Sequence, residues 1–148
     1  MTIKATHDRS AWMGLLARSR PDRLAALMVS RTVRHTWLRA PEVGSVMIRG
    51  RTGAVGAPFN LGEMTVTRCV LQIETGAIGH AHVQGRDKAH ATRAAIVDAL
   101  MQTAQAGAIR AEVLVPLTTE ETDRKALRAA KAAATKVDFF TMVRGEDQ

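Results

Sequence analysis

The segment Val83–Ala91, VQGRDKAHA, combines residue types that suit a phosphate-binding corner between a strand and a helix. Gly85 permits a tight turn, and Asp87 is a favourable N-cap for a helix that begins at Lys88. The N-terminus of a helix presents free backbone N–H groups and a partial positive charge, to which Arg86 and Lys88 add full charges. The alternative is a capped helix start with two solvated basic side chains, because the segment lacks the glycine-rich fingerprint of a phosphate loop.

Three arginines outside this corner, Arg49, Arg51 and Arg68, lie in segments where polar and apolar residues alternate as in a strand. With His80 and His82 they would form a basic face on a sheet, and Arg68 is the third candidate for anion binding. If that face meets a partner, the arginines become interface anchors. Solvated side chains on an open sheet face are the alternative.

The histidines raise the question of a metal site. His80 and His82 lie two residues apart, so a strand would place both on one face, and His90 follows on the next helix. Imidazole nitrogen is a common ligand of Zn²⁺. No cysteine or carboxylate at ligand spacing completes the set, so we expect no metal site in this chain.

The sequence shows no spacing that is typical of a catalytic centre. Cys69 falls on the apolar face of a predicted strand, as expected of a core residue and not of a nucleophile. A G-x-S-x-G elbow is absent, and no pair of carboxylates has a spacing that indicates acid–base work. We therefore expect no catalytic residue and no independent catalysis.

The hydrophobic periodicity predicts an α+β fold with an N-terminal helical hairpin, a four-stranded antiparallel sheet and C-terminal helices. Apolar residues at helical spacing within 8–18, followed by Pro21 at a helix start, indicate the hairpin. Short connections favour an antiparallel meander, and the glycines within 50–62 indicate a loop. The strands are predicted at residues 33–38, 46–51, 65–74 and 78–84.

After the fourth predicted strand the period becomes helical. One helix is predicted to end near Gly107, and Thr118 with Glu121 has the spacing of a capping box that opens another. This last helix is rich in alanine and carries little large apolar surface, so we expect weak packing. The apolar stripe of the first of these helices consists of Ala94, Val97, Leu100, Met101 and Ala104.

Composition limits the class of protein. The 148 residues fit one domain, 1–148, and the net charge of +7 favours nucleic acid, nucleotide phosphates or an acidic protein surface as partners. The basic residues are spread along the chain without a polybasic block. A single cysteine, no signal-like N-terminus and no stretch near the roughly 20 apolar residues of a membrane span predict a cytoplasmic protein without a membrane partner.

Long segments of the chain resemble the G subunit of the bacterial carbon–phosphorus lyase core complex. They are WMGLLARS, GSVMIRGRTGAVGAPFNLGE, VQGRDKAHATRAAIVDALMQ and VDFFTMVRGE, and the pair His80 and His82 is not part of the pattern. The resemblance implies a non-catalytic or accessory subunit in phosphonate catabolism. Its implied partners are the H, I and J subunits of the core and, functionally, an ATPase-like L subunit.

The resemblance also implies the reaction of that complex. ATP and an alkylphosphonate give α-D-ribose 1-alkylphosphonate 5-triphosphate and adenine, and the I subunit is regarded as catalytic in this step. MgATP is thus a substrate of the complex, and no cofactor is bound by this subunit. The family offers no established catalytic residue to carry over to this chain.

The closing apolar segment is a candidate partner interface, with Phe139, Phe140, Met142 and Arg144 as its proposed contacts. Consecutive apolar residues in an extended stretch point to both faces, so one core can hardly bury them all. Exposed, they would form a patch that soluble monomers usually avoid. Closure over the chain's own sheet is the alternative.

A small basic RNA-binding or regulatory domain is the alternative function, suggested by the arginine count. The predicted strands lack the aromatic pairs that stack on unpaired bases, so we expect no nucleic-acid partner. An independent hydrolase or metalloenzyme is the third possibility. The lack of a catalytic spacing and of a complete set of metal ligands makes it the least favoured.

Overall fold

A computed structural model describes residues 8–137 of the chain. The predicted α+β class is confirmed, with helices before and after an antiparallel sheet. No helix among the described residues is long and apolar enough to cross a membrane. The elements are α1 (Arg9–Arg18), α2 (Pro21–Leu27), β1 (His35–Arg51), β2 (Pro58–Ile73), β3 (Ile78–Gln84), α3 (Lys88–Leu100), α4 (Ala106–Ile109) and α5 (Val115–Ala134).

The N-terminal helices begin where local signals predict. The Asp8 carboxylate accepts a hydrogen bond of 3.2 Å from the backbone N–H of Ser10, which caps α1. Pro21 occupies the first turn of α2, where its missing N–H has no helical acceptor. The predicted apolar residues of α1 are buried: Trp12, Leu15 and Leu16.

The sheet has three strands in the order β1-β2-β3, so the prediction of four strands is wrong for the described residues. The predicted strands at 33–38 and 46–51 belong to one strand, β1. The alternation breaks around Pro41, but register shifts between Trp37 and Glu42 let the strand continue. Proline is tolerated there because β1 lies at the edge of the sheet.

The predicted loop at 50–62 shrinks to a turn at 52–57, where Gly53 has a left-handed φ of 55°. Gly50 pairs with Phe59 inside the ladder instead of ending it. A Cβ at Gly50 would stand 3.2 Å from the nearest ring atom of Phe59, so the ring covers this glycine. Packing across the strand pair therefore outweighs the low strand propensity of glycine here.

The core lies between the sheet and the helices. Cys69, Leu71 and Ile73 of β2 are buried on one face, as the alternating pattern predicts. Small residues let α3 approach β3 closely, since a Cβ at Gly79 would stand 1.9 Å from the carbonyl oxygen of Ala95. The buried residues of α3 are His90, Ala91, Ala94, Ala95, Val97, Asp98, Ala99 and Leu100.

The predicted continuation of α3 toward Gly107 is wrong. The helix ends at Leu100, whose carbonyl accepts a hydrogen bond of 2.7 Å from Thr103 Oγ1, and the stripe residue Ala104 is exposed. α4 then leads through a π-helical turn, Arg110–Leu114, directly into α5. The chain is therefore already helical before the predicted second start.

For that reason the predicted capping box is also wrong. Thr118 lies inside α5, and its Oγ1 donates to the carbonyl of Leu114 at 2.7 Å. Glu121 instead accepts a hydrogen bond of 2.7 Å from Arg18 Nε. The predicted weak packing of α5 is confirmed, because Leu117 is its only buried residue and every residue from 122 to 134 is exposed.

Candidate functional site

The corner between β3 and α3 has the local geometry that its sequence predicts. Gly85 adopts a left-handed φ of 92°, and Asp87 Oδ1 accepts a hydrogen bond of 2.8 Å from the backbone N–H of His90. Two further bonds join the corner to β2: the N–H of Gly85 donates to the carbonyl of Thr65 at 2.9 Å, and Thr67 Oγ1 donates to the carbonyl of Gly85 at 2.7 Å. The corner is thus held rigidly against the sheet.

Arg86 and Lys88 are both exposed at this corner. Among residues 8–137, neither side chain has a carboxylate within ion-pair distance. The first backbone N–H groups of α3, at Lys88 and Ala89, have no acceptor within the helix. Two unpaired cations beside a helix N-terminus are chemically suited to hold an anionic group.

Arg68 has different surroundings. It lies opposite His82 in the ladder, two pairs from the end of β3, or about 7 Å along the strand. Its Nε donates a hydrogen bond of 2.7 Å to Glu42 Oε1, and Arg39 lies 3.5 Å from the same oxygen. The hydrogen bond from Arg68 holds the pKa of Glu42 below its usual value. The charge of Arg68 is therefore largely met by Glu42.

Of the other members of the predicted basic face, His82 lies opposite Arg68 in the ladder, whereas Arg49 and Arg51 do not approach it. Arg49 and Arg51 pair with Asn60 and Pro58 at the far end of the hairpin, where β2 no longer pairs with β3. Arg68 is thus separated from them along β2. The structure divides the predicted platform into two regions.

An open cleft of about 490 Å³ lies next to the corner. His90, buried at its base, donates from Nε2 to the carbonyl of Leu16 at 3.0 Å, because a carbonyl can only accept. This bond fastens the start of α3 to the end of α1. The cleft is lined by Ala17, Arg18, Ser19, Pro21, Met64, Val66, His82, Val83, Gln84 and His90.

The three histidines do not converge. His80 and His82 are exposed and alternate along β3 with the buried Ala81 and Val83, whereas His90 is buried against α1. In the part of the chain that the structure describes, no group of three His, Cys, Asp or Glu side chains is arranged to hold a metal ion.

The thiol of Cys69 is buried, and the absence of solvation raises its pKa to about 11. A thiol with such a pKa is almost entirely protonated near neutral pH, so it is a poor nucleophile. The prediction that Cys69 is a core residue is confirmed.

Sequence reasoning missed Asp98, a fully buried carboxylate of α3. It accepts hydrogen bonds from the side chains of Arg9 and Trp12 and from the backbone N–H of His80. The only sequence signal is an aspartate inside an apolar helical stretch, where a charged residue needs a partner. Its partners all belong to the chain's own framework, so its role is structural.

The predicted interface residues Phe139, Phe140, Met142 and Arg144 lie outside the described residues. The contacts predicted for them remain predictions.

Over residues 7–145 the chain matches the family described as phosphonate metabolism protein PhnG. The chain belongs to this family. Over 114 residues it is 50% identical to the alpha-D-ribose 1-methylphosphonate 5-triphosphate synthase subunit PhnG of Rhizobium meliloti (strain 1021). The alignment covers 74% of this chain and 70% of that relative. The resemblance noted from the sequence is confirmed.

Proposed function

We propose that this chain is an accessory subunit of an alpha-D-ribose 1-methylphosphonate 5-triphosphate synthase in phosphonate catabolism. The observation that carries the proposal is the 50% identity to a protein named as the PhnG subunit of that synthase. In the proposed complex, ATP and methylphosphonate give α-D-ribose 1-methylphosphonate 5-triphosphate and adenine. The chain takes part in this transferase reaction only as a member of the complex.

The chemistry of the described residues supports an accessory role. The thiol is buried and protonated, and the buried carboxylate of Asp98 is fully occupied by framework donors. The exposed cations of the corner are able to bind an anion, but they offer no general base or nucleophile. This inventory favours binding and positioning over bond making.

The proposed partners are the H, I and J subunits of the carbon–phosphorus lyase core, with the ATPase-like L subunit acting in the same step. MgATP is a substrate of the complex, and this subunit holds no cofactor of its own. We place the complex in the cytoplasm. The net charge of +7 supports contact with acidic partner surfaces or with phosphate groups.

Within the proposed complex, Arg86 and Lys88 bind an anionic group that approaches the β3–α3 corner, and Arg68 contributes from the neighbouring strand. The supporting observation is the contrast between the unpaired cations of the corner and Arg68, which Glu42 already engages. We therefore assign the larger effect to the corner residues. The terminal residues Phe139, Phe140, Met142 and Arg144 are proposed to contact a partner subunit.

The test is reconstitution by co-expression of tagged chain with untagged H, I and J subunits, followed by addition of L. Adenine released from ATP in the presence of methylphosphonate is measured by chromatography. We expect co-purification, adenine release by the complete set, and none by the isolated chain. Robust turnover by the chain alone, or full activity of the complex without it, would contradict an accessory role.

A further inference from the structure

The β1–β2 hairpin extends past the three-stranded sheet as a two-stranded arm, residues 45–65. β3 pairs with β2 only from Val66 to Gln72, so the arm has no third strand. None of its residues belongs to the buried core or to the partly buried apolar residues packed against that core. The arm therefore approaches the helices only near its base, where Met64 lines the cleft together with Ala17 and Pro21.

One face of this arm is apolar. The register places Val46 opposite Met64 and Phe59 opposite Gly50, and strand alternation puts Ile48 on the same face. The ring of Phe59 lies over Gly50 and remains 45% exposed. A register shift after Ile48 adds an unpaired residue, the exposed Leu61. Val46, Ile48 and Met64 are half-buried, whereas Phe59 and Leu61 are exposed.

Such an arm is unusual for a chain that works alone. A two-stranded ribbon is only marginally stable in water, and a packed apolar face is what normally stabilises it. Contiguous exposed apolar surface is typical of interaction sites. An aromatic ring held in place by a backbone contact is also a favourable interface anchor, because little of its freedom is lost on binding.

The charge of the arm indicates what covers it. Arg49 and Arg51 are exposed, and no carboxylate among the described residues pairs with either. The arm contains one acidic residue, Glu63, which lies opposite Met47 near its base, so the two arginines leave the arm with a net positive charge. A second copy would bring another cationic arm on a chain of net charge +7, so self-association is disfavoured. A partner with carboxylates around an apolar surface is complementary.

We propose that the arm docks on a different protein chain, in an apolar groove bordered by carboxylates, with Phe59 as its anchor. The inference rests on the proposed function, since it requires that the chain belong to a complex. The inference identifies which surface of this chain is covered in the complex.

The first test compares two double variants of the full chain, each co-expressed with the H, I and J subunits. Ile48→Ser with Phe59→Ser alters the apolar face of the arm, whereas Val29→Ser with Leu127→Ser changes exposed apolar residues elsewhere. By native mass spectrometry we expect the arm variant to weaken assembly by roughly 30-fold or more, as for loss of an anchor residue. The control is expected to assemble like the unmodified chain.

The outcomes separate the two proposals. If the unmodified chain does not assemble with these subunits, the proposed function fails and the inference fails with it. If it assembles and the arm variant assembles equally well, the inference is overturned while the proposed function stands. If the free chain dimerises and the arm variant abolishes that dimer, the arm binds a second copy, and our assignment of the partner is wrong.

A second measurement does not depend on the folding of the serine variant. Arg49→Glu with Arg51→Glu keeps the apolar face, and we expect weaker assembly with an altered dependence on salt. Hydrogen exchange of the unmodified chain should also slow in residues 45–65 on assembly. Equal exchange in the free and assembled chain, or equal assembly after charge reversal, would overturn the inference.

Discussion

The indole Nε1 of Trp12 donates a hydrogen bond of 2.9 Å to Oδ1 of Asp98, which joins α1 to α3 in the buried core. The other carboxylate oxygen accepts from Arg9 Nη2 at 2.7 Å and from the backbone N–H of His80 at 2.9 Å. The last bond satisfies a donor of β3, the edge strand beside α1. One carboxylate therefore holds two helices and a strand edge together.

Asp98→Asn is expected to lower the free energy of unfolding by about 3–5 kcal/mol. The amide group would place its own N–H donors against donors that the carboxylate now accepts from, and the positive charge of Arg9 would lose its partner. Urea denaturation followed by circular dichroism measures the change.

Asp22→Asn is the matched control for this substitution. Asp22 pairs with Arg20 at the surface, where both side chains are about two-thirds exposed or more (67% and 70%). Its loss should leave the free energy of unfolding nearly unchanged, because solvent screens an ion pair at the surface. Similar effects of the two variants would show that the buried network contributes little.

Gly79→Ala is expected to destabilise the contact between β3 and α3. The new Cβ would stand 1.9 Å from the carbonyl oxygen of Ala95, so backbone has to move, with a loss of about 1–3 kcal/mol. Gly107→Ala is the control, because no atom outside its chain neighbours and the backbone of its own helix lies within 4 Å of its Cβ position in α4. There alanine should stabilise by about 0.5–1 kcal/mol. Thermal unfolding of both variants distinguishes close packing from a general effect of alanine.

The sequence predicts well those features whose causes are local. The cap at Asp87, the left-handed turn at Gly85 and the buried face of β2 all follow from a few neighbouring residues. The capping-box pattern at Thr118 shows the limit of such signals, because the same residues also fit the interior of a helix that has already begun.

The features that the sequence could not predict depend on distant partners. Asp98 is bonded to residues 86 and 89 positions away, Trp12 and Arg9, and no local pattern shows which donors will meet it. Arg68 is engaged by Glu42, which lies 26 positions away across a register shift. The exposed apolar arm can likewise be recognised only when the ends of β3 are known. The alternation of polar and apolar residues within the arm is by itself typical of a strand with one buried face.

Cys69 should react at least a hundredfold more slowly than a free thiol with a disulfide reagent at pH 8. Its raised pKa of about 11 leaves little thiolate, and burial restricts access. In denaturant the rate should return to that of a free thiol. Fast reaction in the folded chain would show that β2 opens readily.

The same pKa predicts the pH dependence of stability. The pKa of Cys69 in the folded state lies above the ordinary value of 9.0, so the thiol ionises more readily in the unfolded chain. The contribution of Cys69 to the free energy of unfolding is therefore fully present below pH 9 and is lost as the pH rises toward 11. Cys69→Ala should therefore show a shallower decline in the free energy of unfolding between pH 8 and 10. Parallel declines in the two proteins would contradict this assignment.

Phe140→Ala tests the terminal segment, whose contacts lie outside the described residues. We expect weaker co-purification of the proposed partner subunits, by about 2 kcal/mol if the ring is an interface anchor, with unchanged circular dichroism of the isolated chain. Val29→Ala, at a side chain that is 84% exposed, serves as control. If the variant chain fails to fold when isolated, the segment belongs to the chain's own core and the interface prediction is wrong.

Arg86→Ala with Lys88→Ala should lower adenine release by the reconstituted complex about tenfold or more, the effect of losing a charged hydrogen bond of roughly 1.5–3 kcal/mol. The chain should still fold, because both side chains are exposed and Asp87 continues to cap α3. Arg34→Ala with Lys131→Ala removes the same charge from exposed positions on other parts of the chain and should have little effect. Assembly of the complex must be measured together with adenine release. If the variant loses both, the corner contacts another subunit instead of binding an anionic substrate group. Normal assembly and turnover would show that the two cations are only solvated.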